Sequence, residues 1–256
     1  MSRPSGDLTR AAAPPIAEIR EDQVGEDEAP PSPLEIVDEY EALEVSRHPF
    51  FVRLAEGSVN LGAIWLLMAN LDQGISGHFV HWLARTIART DDKKMACFLA
   101  KQLNDELGNG DVQQIHSILL DRFIAGLEPW RPKNESRDAL LEAGRRLAVI
   151  GARPFFTDAL YEAIGALMVG EIFAKKMDHS VGDHMRRQDA LSERDMRWLT
   201  LHETLEMDHA DDSRELALLV PDRPRDHAAV LRGARSQWHA LWSFLSDVDG
   251  ALTRLR

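Results

Sequence analysis

The chain has 256 residues with 44% hydrophobic and 28% charged side chains, enough for one large core or two small ones, and a formal net charge of −12. That acidic balance argues against a nucleic-acid partner and against docking on anionic lipid, both of which need clustered basic residues. Cys97 is the single cysteine, so an internal disulfide and a thiolate metal cluster are excluded, and any metal must be held by His, Asp and Glu.

Residues 1–33 are rich in Pro, Ala, Glu and Asp and nearly free of large apolar side chains, which predicts a disordered tail ahead of one helical domain spanning 34–256. The tail has no apolar core of signal-peptide length, and no run in the chain reaches the roughly 18 apolar residues of a membrane span. A cytoplasmic protein with no membrane partner is the expectation.

From Leu34 the chain reads as helix after helix. "LEIVDEYEAL" is short and amphipathic. "SRHPFFVRLAEG" carries Pro49 in its first turn and Gly57 at its stop. A long apolar helix follows from Asn60 to Thr90, with Gly74 and Gly77 as its weak point. "DDKKMACFLAKQLNDELG" is capped by Asp91 or Asp92, and "DVQQIHSILLDRFIAGL" comes next. "ESRDALLEAGRRLAVIGA" reads as one helix, and another runs from about Pro154 to Met177 before the polar stretch "DHSVGDHMRRQDA". "LSERDMRWLTLHETLEMDHADDSRELALLV" and a last helix with Trp238 and Trp242 complete an all-α bundle of about seven to eight helices.

Bundle cores host metal and cofactor sites, so polar residues on buried faces are the ones to weigh. Glu106 and His116 flank the glycines of "DELGNGDVQQIH"; one straight helix would point them apart, whereas a kink at Gly108 and Gly110 would let them share an ion. His202, Glu206 and His209 fall at i, i+4 and i+7 on one helix face, a plausible imidazole and carboxylate ligand set. Glu171 follows Ile164, Leu167 and Met168 on an apolar stripe, where a carboxylate is costly unless paired or bound to a cation; Glu162, on the opposite side of that helix, is the reserve. Asp72 interrupts the long apolar helix and is its best candidate ligand, with His78 behind it. His48, His179, His184 and His227 read as surface residues. Leu66, Met68, Phe155 and Phe156 are the expected pocket walls.

Hard oxygen donors mixed with imidazoles, offered by four helices, describe a carboxylate-bridged dinuclear iron or manganese centre. "HPFF", the elbow "DELGNGDVQQIH" and the late "LHETLEMDHA" together resemble the haem-oxygenase-like diiron oxidases and oxygenases, over roughly residues 46 to 215. The resemblance implies a bundle of seven to eight helices holding two Fe(II), or manganese, with dioxygen as co-substrate. Glu106 and His116 would take the elbow roles, as ligands at the catalytic centre. Glu171 would supply the later carboxylate, Asp72 the carboxylate of the first long helix, and the closing acid and histidine would fall within His202, Glu206 and His209. Glu206 stands where such proteins more usually have Asp. The implied activity is oxidation of a small amine or amino-acid-like metabolite by N-oxygenation, desaturation or oxidative C–C cleavage, by a protein able to form a homodimer.

Three rivals compete. A metal-free member of the same fold, thiaminase-like or similar to the pyrroloquinoline quinone synthases, would need another site; Cys97 has no evident base beside it. A ferritin-like diiron protein needs two Glu-x-x-His motifs, of which only "EMDH" at 206–209 is present. A non-catalytic helical interaction protein would let such clusters drift.

Overall fold

The computed structural model describes residues 29–255, apart from the side chains of residues 203–211. Of the segment expected to be a disordered tail, residues 1–28 lie outside the described residues. Helix α1 (Pro33–Ala42) begins at a reciprocal capping box: the Ser32 hydroxyl accepts from the Glu35 amide, and the Ser32 amide donates to the Glu35 carboxylate at 2.7 Å. At its C-terminal end the Leu43 amide caps the Tyr40 carbonyl, and a cation meets the neighbouring carbonyls. Lys176 Nζ donates to Glu41 O at 2.6 Å and to Leu43 O at 2.5 Å.

Helix α2 (Pro49–Ala55) starts at His48, whose Nδ1 accepts from the Phe50 amide at 3.2 Å. Helix α3 (Leu61–Leu71) is buried along its whole length and runs into a π turn at Asp72–Ser76, from which α4 (Gly77–Arg89) continues. The expected weak point is therefore a π turn, and the residue it inserts shifts the helical register of everything after it. Helices α5 (Lys93–Glu106) and α6 (His116–Leu127) are joined by the glycine elbow. The run read as one helix at 135–152 is broken at Leu141 into α7 (Arg137–Leu140) and α8 (Glu142–Gly151), and a further short helix, α9 (Arg153–Phe156), follows. Helix α10 (Leu160–Gln188) outlasts the expected Met177 by three turns, because the polar stretch after it is helical and stops only at Asp189, in the left-handed region at φ 46°. Helices α11 (Arg197–Leu218) and α12 (Pro224–Arg254) end the chain.

The described residues are all helical or irregular, with no strand. Counting α3, the π turn and α4 as one helix, they form eleven helices, nine of them seven residues or longer, rather than seven to eight. The excess is made of breaks and single turns, which hydrophobic periodicity does not register. No described helix is long and apolar enough to cross a membrane.

Two devices lock the frame around the site. Helices α10 and α12 meet backbone to backbone: a Cβ at Gly165 would run into the Val230 carbonyl, and one at Gly233 into the Glu162 carbonyl. Asn70, fully buried, satisfies its whole amide across elements: Nδ2 donates to Leu66 O and Leu140 O, each at 2.8 Å, and Oδ1 accepts from the Gly144 amide at 2.7 Å. That ties α3, just before the π turn, to α7 and α8. Between the π turn, the elbow and helices α10, α11 and α12 the core opens into a cavity of about 400 Å³.

Three of the four histidines expected at the surface are interior. His48 is 1% exposed and His184 is fully buried because α10 extends past it; His227 is 8% exposed on α12. His179 is exposed, as expected.

Candidate metal centre

The elbow is the most sharply determined part of the site. Gly108, Asn109 and Gly110 all take positive φ, at 73°, 53° and 87°. At Gly108 a Cβ would also sit 2.6 Å from the carbonyl carbon of Gln114, so both conformation and space require glycine there. The Asp111 side chain accepts from the Gln113 amide at 2.9 Å and turns the chain into α6. The last residue of α5, Glu106, is thereby brought against the first residue of α6, His116. Their Oε2 and Nδ1 atoms lie 3.2 Å apart, with side chains 22% and 6% exposed.

This pair has an unusual feature. His116 Nδ1 is buried and, among the described residues, makes no hydrogen bond, although a carboxylate oxygen stands beside it. A buried imidazole nitrogen left this way costs free energy unless another group meets it. The His116 ring packs edge-on against His202 of α11, centroids 4.8 Å apart, and the Trp198 ring also packs on His202 at 4.3 Å. His202 Nδ1 donates to the Trp198 carbonyl at 2.9 Å, as the carbonyl can only accept, which leaves the ring lone pair on Nε2.

Glu106, His116, Glu171 and His202 all line the one cavity. Four groups picked out at separate places in the chain are thus assembled by the fold. Glu162 is elsewhere, paired with Arg232 at 2.8 Å. Asp72 does not line the cavity. It is half-buried among His78, Asp121 and Arg137, and burial, with Asp121 next, pushes its carboxyl upwards. The first long helix gives the cavity Ile75, Ser76 and Phe79 instead, positions offset by the π turn. His78 stacks on Trp82, centroids 6.0 Å apart. Glu206 and His209 lie on α11, beyond His202, and their side chains fall outside the described residues.

Among the described residues no three His, Cys, Asp or Glu come close enough to hold an ion by themselves. The donor chemistry still fits iron: two imidazoles and two carboxylates face one partly enclosed space, and among the described residues one imidazole nitrogen has no hydrogen-bond partner. Glu206 and His209 follow His202 by one and two turns along α11.

The rest of the cavity wall is mostly apolar, with Glu41, Ser76, Lys175, Lys176, Asp178 and Ser213 among its polar members. Trp82 and Phe155 stack with centroids 5.0 Å apart, and Phe79, Leu167 and Leu241 join them. Of the four walls expected from sequence, only Phe155 is present. Leu66 and Met68 are in the solid core, and Phe156 is 59% exposed beneath Arg85. Gln237 also lines the cavity and was missed by sequence reasoning. Its signal was there: it falls three residues after Ala234 and four before Leu241, a lone amide on the buried stripe of α12.

Comparison with known proteins follows the same line. A solved structure of a CadD-like protein of unknown function from Nostoc punctiforme matches with a TM-score of 0.66 at 14% identity, over 84% of this chain and 95% of that one. A domain of unknown function with a heme oxygenase-like fold from Shewanella denitrificans matches with a TM-score of 0.64 at 16% identity, over 86% of this chain and 90% of that one. At such identities the likeness is one of fold. No curated protein matches the sequence. The family model described as iron-containing redox enzyme matches residues 74–242, from the π turn to the middle of α12, and so includes Glu106, His116, Glu171 and His202. With most of its length inside that match, the chain belongs to the iron-containing redox enzymes of haem-oxygenase-like fold.

Proposed function

We propose that the protein is a non-haem diiron oxidase or oxygenase that uses dioxygen to oxidise a small amine or amino-acid-like metabolite. The observation that carries this reading is the Glu106–His116 pair: an imidazole nitrogen and a carboxylate oxygen 3.2 Å apart, with no hydrogen bond on that nitrogen among the described residues, at a cavity shared with Glu171 and His202. Glu106, His116, Glu171 and His202 would hold iron, with Glu206 and His209 of α11 completing the set. The family description names iron, which favours it over manganese.

Bound iron supplies the change of redox state that lets dioxygen attack an otherwise inert C–H or N–H bond. The chain supplies the rest. Glu106 and His116 hold their geometry because the elbow is conformationally fixed, and His202 keeps one tautomer because the Trp198 carbonyl accepts a hydrogen bond from its Nδ1–H. The carboxylates also attract a cationic amine to the cavity. Phe79, Trp82, Phe155 and Leu167 exclude water and take up the apolar part of a substrate.

The test is oxygen uptake by protein loaded anaerobically with ferrous iron, against a panel of amines and amino acids. Iron-dependent uptake stimulated by a panel member, and lost in Glu106→Ala and His116→Ala chains that keep their helical circular dichroism, is the expected result. Uptake that ignores iron, or a fully active Glu106→Ala chain, would contradict the proposal.

A further inference from the structure

The short helix α9 gathers cations that no carboxylate neutralises. Arg153 opens it and is exposed. From α4, Arg85 Nε and Arg89 Nη1 both donate to the Phe155 carbonyl, at 3.0 and 3.2 Å. Among the described residues none of these three guanidiniums forms an ion pair, and the acids nearest in sequence, Asp91 and Asp158, pair with none of them. On α8, by contrast, Arg145 and Arg146 are matched by Glu142 and Asp247.

An exposed aromatic ring stands among these cations. Phe156 is 59% exposed, and the Arg85 guanidinium lies 4.8 Å above its ring. An exposed aromatic set among arginines has the composition of a protein interface rather than of a solvated helix end. The wall behind it is thin. Phe155 is buried, lines the cavity and stacks on Trp82, which lines it too. The residue whose carbonyl holds the two arginines therefore has its ring at the cavity, while the next residue is at the surface.

We propose that α9, with Arg85 and Arg89 of α4, is the docking surface for an acidic one-electron carrier protein, which seats on Phe156 and delivers electrons across the Phe155–Trp82 pair. This rests on the reading of the cavity as an iron redox site. Charge complementarity selects an acidic partner: a chain of net charge −12 repels one in general, and a local cluster of guanidiniums then fixes where it lands. The place of the cluster, one residue behind the cavity wall, selects an electron carrier. Inserting one oxygen atom of dioxygen into a substrate, with the other released as water, takes two protons and two electrons from outside, the substrate supplying the remaining two electrons. Two reduced iron–sulfur carriers, each oxidised by one electron, balance that step.

The probe is a plant-type two-iron ferredoxin, an acidic one-electron carrier. Its affinity is measured by calorimetric titration for the unaltered chain, Arg153→Glu and Phe156→Ser, at low salt and at about 0.5 M salt. Both substituted residues are exposed and neither lines the cavity. Affinity at low salt should fall by about tenfold or more in each variant, with thermal midpoints kept. At high salt the difference between Arg153→Glu and the unaltered chain should close, because screening removes the charge attraction. Anaerobic oxidation of the reduced ferredoxin by the iron-loaded chain should slow by the same factor. No binding to the unaltered chain, or equal affinities for all three chains, overturns the inference. Phosphatidylserine vesicles bound at these residues, or self-association lost in Arg153→Glu, with ferredoxin ignored, would assign the face to lipid or to a second copy and overturn it as well. Iron retention on the same samples separates the two readings. Iron kept without ferredoxin binding sinks the docking surface alone, and ferredoxin binding without iron sinks the redox reading and leaves the docking surface standing.

Discussion

Glu106 closes α5 and His116 opens α6, and three consecutive left-handed residues between them set Oε2 and Nδ1 3.2 Å apart at the cavity wall. Because the pair is made by backbone conformation, its disruption separates into two kinds of change, one chemical and one conformational.

The chemical change is Glu106→Ala. It removes a carboxylate and leaves the imidazole of His116 buried beside a void, so iron affinity should fall by at least about tenfold while the helical signal is kept. Iron titration monitored by equilibrium dialysis reads this directly. Affinity equal to that of the unaltered chain would show that Glu106 is no ligand.

The conformational change is made at the elbow. Gly108→Ala meets both a positive φ and the Gln114–Ile115 backbone, whereas Gly110→Ala meets only a positive φ, with nothing within 4 Å. The second should cost about 1 kcal/mol of stability and the first clearly more, about 2–4 kcal/mol, since the chain must also move. Urea unfolding of the two variants would distinguish them, and equal losses would contradict this account of the elbow.

What the sequence made legible depended on how local each signal was. The Gly-x-Gly elbow, the i, i+4, i+7 spacing from His202 and the apolar setting of Glu171 are patterns within short stretches of chain, and the cavity is lined by Glu106, His116, Glu171 and His202. Asp72 does not line the cavity, and the positions after it are offset by the π turn that begins there, which a count of 3.6 residues per turn cannot anticipate. His48 and His184 looked exposed because their sequence neighbours are polar, yet the groups that bury them come from distant segments, Trp242 and Ser246 in the case of His48. The helix count failed at Leu141 and at Arg153–Phe156, where breaks of one turn leave the apolar period nearly intact.

The contact of α10 with α12 rests on the absence of side chains at Gly165 and Gly233. Gly233→Ala should therefore destabilise the fold by about 2–4 kcal/mol, although alanine is the better helix former by about 1 kcal/mol at an open position. Thermal unfolding checks the sign: a gain in midpoint would mean that the two helices are free to separate.

His48 makes stability depend on pH. Burial first, and Arg53 second, push its imidazole down to about 4 from an ordinary value of 6.5. The folded state thus binds the proton less well than the unfolded chain. The contribution is fully present above about pH 6.5 and is lost as pH falls towards 4, by at most about 3 kcal/mol. His48→Asn keeps an acceptor for the Phe50 amide and removes the titration, so the decline between pH 6.5 and 4 should become shallower. Urea unfolding across that range is the check, and parallel curves for the two chains would remove His48 as the cause.

The central claim is that Glu106, His116, Glu171 and His202 face one cavity in order to hold iron. Its most direct test is the iron retained per chain after anaerobic loading and desalting, measured by elemental analysis for the unaltered protein and for Glu171→Ala. The account predicts about two irons per chain, falling to one or fewer in the variant. No retained iron in the unaltered chain, or the same content in both, would contradict it.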